Sequence, residues 1–346
     1  MTISFGLSNF GSPLEQNICY INSILQLLHC VAVIRNFVKK KSYKTTPETL
    51  TPICDEISRI YNYEGDVTTA GPLRKLLGTK KGLSYVMAGE QEDASMFLRH
   101  LLDQIFQEAD PDTRLEELIN ITIAHQACFN TPDGACNKCG YISPPDENNR
   151  KVLVLQESSE SSSLQDLIQF YFQDQNLENF RCGNEGYCQD ADSKNVKEAT
   201  MRQTVTKLPE ILFIQVQKTV NITVNEGFFT VQGVRFEIIG IVDHLGMDTN
   251  SGHYITWAKH EGQWFKFDDQ RIEPDLADAH FSSNNYIFVG IRKDEEDSDK
   301  ERCIPCGKLF SSHLKHLQQA QNCLKFYDLE AKKKENSEKR KILNNL

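Results

Sequence analysis

Hydrophobic residues in the first third of the chain recur at the spacing of an amphipathic helix. The first predicted helix begins near Cys19 and carries Ile21, Ile24, Leu25 and Leu28 on one face. The second follows Gln91-Glu92-Asp93 and carries Ala94, Phe97, Leu98, Leu101 and Ile105. Between these helices, residues 38–90 predict a mixture of short helices and loops.

From about residue 121 the pattern changes to short β-type runs. Two of these runs, Lys151–Leu155 and Thr200–Thr206, flank a short predicted helix at Leu164–Phe172. After Lys207 the predicted strands are Ile211–Val216, Phe228–Val242, His253–Lys259, Trp264–Asp268 and Asn285–Arg292. A helical part is therefore predicted to precede a β-rich part.

Composition and charge narrow the class of protein. The chain has 346 residues, of which 39% are hydrophobic, so it can form a core and does not resemble a disordered chain. The formal net charge is −10, from 48 acidic and 38 basic residues. Phosphate binding needs concentrated positive charge, so we expect a basic peptide or protein as partner rather than nucleic acid. The apolar stretch Ile18–Phe37 is too polar for a transmembrane span, so no membrane partner is expected.

The cysteines bear on the cellular compartment. There are 11 of them, an odd number, and the N-terminal residues lack a basic segment followed by an apolar one. This favours a reducing, cytoplasmic location, in which paired cysteines bind metal rather than form disulfides. Basic clusters at Lys332–Lys334 and Lys339–Lys341 leave a nuclear location open, although clusters this short are usually solvated helix faces.

Cys19 is a candidate nucleophile because it lies at the start of the first predicted helix. The positive end of the helix macrodipole and the unpaired N–H groups there favour a thiolate. Taken alone, a cysteine at a helix start is more often an ordinary buried residue. Cys30 and Cys54 lack such a setting and are predicted to be core residues.

His253 and Asp268 lie 15 residues apart, with residues 259–262 at the midpoint. If residues 259–262 form a four-residue hairpin loop, the two side chains lie directly opposite each other across the ladder. An aspartate in that position orients an imidazole as a general base. A three-residue loop would place Asp269 opposite instead, and an exposed ion pair alone is an equally good explanation.

Two cysteine pairs suggest a metal site in the β-rich part. Cys136 and Cys139, followed by glycine, have the spacing of a zinc knuckle, and Cys182 and Cys188 would complete four thiolate ligands. The second spacing is loose for a zinc site, so reduced cysteines without metal are the alternative. We expect structural zinc here.

The C-terminal part of the chain is predicted to lie outside the main domain. That domain is predicted over residues 1–293 and ends at a charged linker, residues 294–302. Residues 303–325 predict a small zinc-finger-like module with a protein partner, and residues 326–346 predict a charged tail, helical or disordered.

The candidate zinc ligands of this module are Cys303, Cys306, His316 and Cys323. His316 is preferred over His313 because it shares a helix face with Cys323. The alternative is a disordered tail with incidental cysteines and histidines.

Three motifs, taken together and in order, resemble those of the ubiquitin-specific protease family, which are papain-like cysteine isopeptidases. Gly6–Gly11 followed by Asn17–Ser23 resembles the Cys box of the family. Gln91–Leu98 resembles its Gln-Asp-Ala box. Three segments resemble its His box: Val242–Gly246, Gly252-His253-Tyr254 and Trp264–Asp269. The strand Tyr286–Gly290 resembles the one that closes the family domain. The resemblance covers about residues 5–292.

The resemblance implies an α+β fold arranged as thumb, palm and fingers. The helical thumb would run from Cys19 to about residue 120, and the palm would be the β-rich residues 200–292. The fingers would hold the two cysteine pairs around structural zinc. Ubiquitin would rest on the fingers, and its C-terminal tail would pass between thumb and palm.

The resemblance also implies roles for individual residues. Cys19 would be the nucleophile, His253 the general base and Asp268 the acid that orients it, with Asp269 in support. The implied substrate-binding residues are Gln91, Asp93, Gly252 and Tyr254.

One departure from the family concerns the oxyanion hole. The family has an asparagine five residues before the cysteine, where this chain has Leu14. The matching Asn9 lies ten residues before Cys19, with five residues inserted between them. We expect residues 12–16 to loop outward so that Asn9 still donates to the oxyanion, with Gln16 or Asn17 as the alternative.

The predicted function is that of a deubiquitinating thiol isopeptidase, which hydrolyses the bond after the C-terminal glycine of ubiquitin without a catalytic cofactor. Ubiquitin and ubiquitinated proteins are the implied partners. A catalytically weak ubiquitin-binding scaffold is one alternative, because of the insertion before Cys19. A protease for another ubiquitin-like modifier is the other.

Overall fold

The computed structural model describes residues 5–293 except 11, 42, 44–51, 137–138, 157–162, 181, 183–196, 218–222, 225–226, 247–250 and 276–279. The described residues up to Arg292 belong to one compact unit. The predicted linker, C-terminal module and tail, residues 294–346, lie outside the described residues.

Helices dominate the first part of the chain, as predicted. The α-helices are α1 (Cys19–Cys30), α2 (Ala32–Lys39), α3 (Ile53–Tyr61), α4 (Gly71–Leu77), α5 (Ala94–Glu108), α6 (Leu115–Ile119) and α7 (Leu164–Tyr171). Short 3-10 helices lie at Pro13–Glu15, Ser84–Met87 and Pro111–Thr113. The two helices predicted from periodicity are α1 and α5, and the short predicted helix is α7.

Side-chain caps fix where two of these helices begin. Asp93 caps α5, because its Oδ1 accepts the N–H of Met96 at 2.7 Å. Ser163 caps α7 in a capping box, in which its Oγ accepts the N–H of Asp166 at 3.1 Å.

Strands dominate the remainder of the compact unit. They are β1 (Gly6–Leu7), β2 (Val67–Thr68), β3 (Ile121–Phe129), β4 (Asp146–Arg150), β5 (Val152–Leu155), β6 (Gln175–Phe180), β7 (Lys197–Lys207), β8 (Ile211–Val216), β9 (Phe228–Val231), β10 (Val234–Leu245), β11 (His253–His260), β12 (Gln263–Asp268), β13 (Arg271–Pro274) and β14 (Asn285–Lys293).

The prediction of one strand over Phe228–Val242 is wrong. The chain forms a hairpin there, in which Val234 pairs with Val231 across a turn at Gln232 and Gly233. Both turn residues have left-handed φ values, 47° and 82°. A two-residue turn of this kind matches the twist of the flanking strands, so it divides what the hydrophobic pattern alone shows as continuous.

The main sheet has the strand order β13-β12-β11-β10-β14-β8-β5, with β9 also paired to β10. All six residues of β8 are buried, as expected for a strand covered on both faces. A separate sheet has the order β4-β3-β7-β6. Helices gathered in one part of the chain beside largely antiparallel sheets make this an α+β fold.

Helix α1 lies in the core of the compact unit that ends at Arg292. All of its residues except His29 are buried, and it packs against α5, β10 and β11. The hydroxyl of Thr256 on β11 donates to the carbonyl oxygen of Ser23 at 2.8 Å and joins the helix to the sheet. The N-terminus of α1 is therefore held at the edge where helices and main sheet meet.

Within the described residues, no single helix has the length and apolar character needed to cross a membrane. The pair α1 and α2, which is bent by 97°, passes that test only when its two helices are taken together.

Candidate active site

Cys19 is the first residue of α1 and is 2% exposed. Its position at the N-terminus places the thiol at the positive end of the helix macrodipole. Because Cys19 begins the helix, the N–H groups of the first turn are close to any acyl group that reaches the thiol. Cys30 and Cys54, predicted as core residues, are buried, and burial raises the pKa of Cys30 to about 12.

His253 contacts Asp268, but through a different hairpin from the predicted one. Nε2 of His253 lies 2.7 Å from Oδ1 of Asp268. In the ladder, His260 pairs with Gln263, so the turn has two residues rather than four or three. The predicted four-residue loop is therefore wrong.

Two left-handed residues explain the tighter turn: Glu261 has a φ of 50° and Gly262 a φ of 85°. Thr256 pairs with Phe267, so the register continues to place Asp268 opposite Ile255. Asp268 consequently reaches His253 along the diagonal of the ladder, a separation that side chains of this length can span.

Cys19 acts on the histidine too, because its side chain is the largest cause of a raised imidazole pKa. Since Asp268 occupies Nε2, Nδ1 is the ring nitrogen that remains for the thiol. The interaction with the Cys19 side chain, opposed by desolvation and assisted by the bond to Asp268, raises the pKa of His253 to about 9. The site therefore favours a charged imidazolium beside the sulfur at neutral pH.

The two neighbouring aspartates have different environments. Partial burial acts to raise the pKa of Asp268, but its hydrogen bonds with His253 and Lys266 outweigh that effect and lower it. Lys266 Nζ lies 3.2 Å from Oδ2 of Asp268. Asp268 thus stays ionised and can orient an imidazolium.

Asp269 is more buried, and desolvation raises its pKa despite hydrogen bonds from two asparagines. Asn22 donates to Oδ1 at 2.8 Å, and Asn9 donates to Oδ2 at 2.9 Å. A carboxylate oxygen of Asp269 lies within 4.8 Å of a ring nitrogen of His253. Asp269 therefore joins the histidine side of the site to the start of α1.

Asn9 bonds directly to the residue before Cys19. Its Oδ1 accepts the N–H of Ile18 at 2.9 Å, while its Nδ2 donates to Asp269. The inserted residues between them form the 3-10 turn Pro13–Glu15. The structure thus brings Asn9 to the nucleophile segment despite the insertion, whereas the Asn17 side chain donates to the carbonyl of Gly89 at 2.9 Å.

Among the predicted substrate-binding residues, Asp93 and Gln91 differ in their contacts. Besides capping α5, Asp93 accepts a hydrogen bond from the Tyr286 hydroxyl at 2.5 Å, which links α5 to β14. Gln91 is half-buried, and no described residue forms a hydrogen bond with its Nε2. A buried amide donor without a partner is the more suitable of the two to bind an incoming backbone.

Gly252 and Tyr254 flank His253 and have structural roles. A Cβ at Gly252, where φ is 118°, would lie 2.4 Å from the carbonyl oxygen of Leu245. Tyr254 is fully buried, with its ring 4.5 Å from that of His244. Its side chain supports β11 from inside and does not reach the surface where a substrate would lie.

Three of the predicted zinc ligands are gathered at the end of the small sheet. Sulfur atoms of Cys136, Cys139 and Cys182 all lie within 4.8 Å of one another. The Cys139 and Cys182 sulfurs are 3.7 Å apart. Tetrahedral thiolates about 2.3 Å from zinc would be about 3.8 Å apart, so this donor set fits the metal. The other predicted ligands, Cys188, Cys303, Cys306, His316 and Cys323, lie outside the described residues.

Sequence reasoning missed two residues that the structure places in the site, Asn22 and Lys266. Asn22 is 2% exposed and lies one turn after Cys19. A polar residue on the apolar face of a buried helix, beside a candidate nucleophile, was the available signal. Lys266 had none, because exposed lysines near aspartates are common in strands.

Comparison with known proteins identifies the family. The family model "Ubiquitin carboxyl-terminal hydrolase" matches residues 5–226 and 219–289. The chain belongs to this family. Its members are cysteine-type deubiquitinating enzymes, and this hydrolase is one of them.

Two curated relatives of the hydrolase carry the same family name. Ubiquitin carboxyl-terminal hydrolase 12 of Salmo salar is 26% identical over 321 residues, 80% of this chain and 82% of the relative. Ubiquitin carboxyl-terminal hydrolase 25 of Arabidopsis thaliana is 25% identical over 337 residues, 86% of this chain and 49% of the relative. The hydrolase therefore spans about half of that second relative.

Solved structures share the fold at 19% identity. The SAGA DUB module of Ubp8, Sgf11, Sus1 and Sgf73 bound to monoubiquitin has a TM-score of 0.65, covering 84% of this chain and 69% of that chain. The same module bound to ubiquitin aldehyde has a TM-score of 0.63, with the same coverage and identity. This likeness shows the α+β fold of a deubiquitinase catalytic domain.

Proposed function

We propose that this deubiquitinase hydrolyses the bond after the C-terminal glycine of ubiquitin with Cys19 as nucleophile, His253 as acid and base, and Asp268 as the orienting residue. The observation that carries the proposal is the 2.7 Å contact between His253 and Asp268, together with the Cys19 side chain as the largest cause of the raised pKa of His253. This is the arrangement of nucleophile, base and orienting group that acyl transfer requires.

The chemistry follows from the charges in the site. The Cys19 thiolate attacks the glycine carbonyl, and His253 gives its Nδ1 proton to the departing lysine amine. The neutral imidazole then activates a water molecule, which hydrolyses the thioester and releases ubiquitin with a free C-terminal carboxylate and the Cys19 thiol. The N–H of Cys19 and the side chain of Asn9 are the proposed donors to the tetrahedral oxyanion.

The test is turnover of a lysine-linked ubiquitin substrate by the full chain. Cys19→Ala should abolish turnover and leave ubiquitin binding intact, because the thiol supplies chemistry and little contact area. Cys30→Ala is the matched control on the same helix and should turn over normally. Hydrolysis by the Cys19→Ala variant above a no-enzyme control would overturn the assignment.

The modifier is tested in the same assay. Faster hydrolysis of a ubiquitin-like modifier than of ubiquitin would replace the proposed substrate. Tight ubiquitin binding without turnover in the wild-type chain would instead support the scaffold alternative. The placement of Asn9 at the nucleophile segment and the contact between His253 and Asp268 favour the enzyme.

We further propose that Cys136, Cys139 and Cys182 hold a structural zinc ion, with Cys188 as the fourth ligand. Cys136 and Cys182 are buried, and Phe129 and Phe180 pack around the cluster. Zinc binding would stabilise the end of the small sheet, where few side chains form a hydrophobic core. Metal analysis of Cys139→Ser should show loss of one zinc per chain, whereas Cys128→Ser, a neighbouring buried cysteine outside the cluster, should retain it.

The C-terminal module is proposed to bind a second zinc ion and to be separable from catalysis. The compact unit that ends at Arg292 supports a boundary near residue 293. Truncation after Lys293 should remove one zinc per chain and leave turnover of a minimal ubiquitin substrate intact. Unfolding of the shortened chain would show that the boundary is wrong. A cytoplasmic location, with a nuclear pool left open by the basic clusters, remains our expectation for the whole chain.

A further inference from the structure

Arg74 on α4 is a buried cation that the proposed chemistry does not use. It is 1% exposed, and within the described residues no carboxylate lies within ion-pair distance of it. A buried charge is costly unless hydrogen bonds compensate it. Carbonyl groups around Nε and Nη1 offset part of that cost, whereas Nη2 has no hydrogen-bond partner among the described residues.

Those carbonyl groups belong to two segments that are far apart in sequence. Nε donates to Val86 in the 3-10 turn Ser84–Met87 at 2.5 Å. Nη1 donates to Gln16 at 2.8 Å and lies 3.3 Å and 3.4 Å from the oxygens of Leu14 and Pro13. One planar side chain thus bridges a helical turn and the inserted segment, residues 12–16.

Gln16 is the last residue of the insertion, so its anchor controls the entry to α1. Asn17 follows with a left-handed φ of 55°, and the N–H of Ile18 is held by Asn9. Cys19 comes next. Only two residues thus separate the carbonyl that Arg74 binds from the nucleophile, and a shift of that carbonyl would move the first turn of the helix.

Arg74 also acts on the residue after the nucleophile. Burial raises the pKa of the Tyr20 hydroxyl, and the positive charge of Arg74 opposes that rise. The guanidinium therefore binds the segment before Cys19 and acts electrostatically on Tyr20 after it.

We propose that Arg74 is a positioning residue for Cys19: it holds the end of the inserted segment in place and thereby fixes the backbone geometry of the nucleophile and its oxyanion N–H. The inference rests on the proposed role of Cys19. The insertion explains the need for such an anchor, because five additional residues in front of the helix would otherwise leave its first turn without a fixed approach.

The first test compares Arg74→Gln, Arg74→Lys and Lys75→Gln in the full chain. Lys75→Gln removes one charge from an exposed position of the same helix and is the control. Arg74→Gln should lower kcat by about ten- to a hundredfold with KM within twofold of wild type, the cost expected for a misplaced reacting group. The kcat of Arg74→Lys should lie between those of wild type and Arg74→Gln, because an ammonium group can donate to Gln16 but cannot bind Val86 at the same time.

A second readout does not depend on ubiquitin. The rate at which iodoacetamide alkylates Cys19, followed across pH, should fall in Arg74→Gln and stay normal in Lys75→Gln. If the wild-type chain fails to hydrolyse ubiquitin, the proposed substrate fails, while alkylation still tests the role of Arg74. Normal kcat and normal alkylation in Arg74→Gln would overturn the inference.

The decisive variant deletes residues 12–16, which places Asn9 five residues before the cysteine. In the shortened chain the inserted carbonyl groups are gone and only the bond to Val86 remains, which does not touch the nucleophile segment, so Arg74→Gln should change kcat by less than twofold. The coupling between the two changes isolates the anchoring effect. If Arg74→Gln instead costs as much in the shortened chain as in the full chain, or unfolds both, Arg74 is a general core residue and the inference is wrong.

Discussion

The inserted segment before Cys19 and the hairpin that carries His253 deliver the catalytic groups in opposite ways. The hairpin, β11 and β12, is defined by its own turn and ladder, so its geometry is encoded within one short stretch of chain. The inserted segment has no ladder, and its last carbonyl is bound by Arg74, 58 positions later, while Asn9 holds the N–H of Ile18 that follows it. Local register thus sets the base, whereas long-range hydrogen bonds set the nucleophile.

The largest expected effect tests the hairpin. Asp268→Asn removes the charge that orients His253 and should lower kcat on the order of 10³–10⁴-fold. Asp269→Asn, the matched change one residue later, should cost at least tenfold less, because Asp269 bonds to asparagines rather than directly to His253. Steady-state kinetics with a ubiquitin substrate would compare the two. The reverse ranking would show that the diagonal pairing with Asp268 is not the catalytic one.

The next effect tests the nucleophile segment. Asn9→Ala removes a proposed oxyanion donor and the acceptor for the N–H of Ile18, so kcat should fall by about 10²–10³ with ubiquitin binding unchanged. Asn17→Ala is the comparison, since its side chain binds Gly89. Near-normal turnover in Asn9→Ala, with the loss in Asn17→Ala or Gln16→Ala, would mean that the insertion has replaced the donor.

The pH dependence joins the two regions, because the interaction of the imidazolium N–H with the Cys19 sulfur is the main cause of the raised pKa of His253. A raised pKa keeps the imidazolium present at neutral pH and loses it as the pH rises through about 9. Turnover of a lysine-linked substrate should therefore fall above about pH 9, up to tenfold per pH unit. In Cys19→Ala, NMR titration should find a lower pKa for His253. An unchanged pKa would rule out that interaction as its cause.

The smallest expected effect, on stability, tests whether the turn at Glu261 and Gly262 defines the hairpin. Gly262 has a φ of 85°, and a Cβ there would meet no atom within 4 Å. Gly262→Ala should therefore cost only the left-handed conformation, about 1–2 kcal/mol of unfolding free energy, with turnover nearly normal at 25 °C. Gly227→Ala, equally open but without the positive φ, should cost less. Denaturant unfolding would measure both, and equal costs would contradict the turn geometry.

The difference between the two regions also explains what the sequence could predict. Cys19 and His253 lie in local motifs with regular spacing, and the helices α1 and α5 follow from periodicity. The turn lengths at Gln232 and Glu261 depended on which residues adopt left-handed φ, which a hydrophobic pattern does not encode.

Long-range contacts were beyond sequence reasoning. The bond between Asn22 and Asp269 spans 247 positions, and that between Arg74 and Gln16 spans 58. Nothing in the local sequence of α4 distinguishes its buried arginine from the exposed lysine beside it. The same holds for Tyr286, whose bond to Asp93 requires the relative placement of β14 and α5.

The central claim is that Cys19 attacks the C-terminal carbonyl of ubiquitin. Reaction of the full chain with ubiquitin carrying a C-terminal alkyne electrophile, followed by peptide mass mapping, tests it directly. The account predicts one adduct, on Cys19, formed equally by Cys30→Ala and lost in Cys19→Ala. An adduct on another cysteine, or an unlabelled wild-type chain, would contradict it.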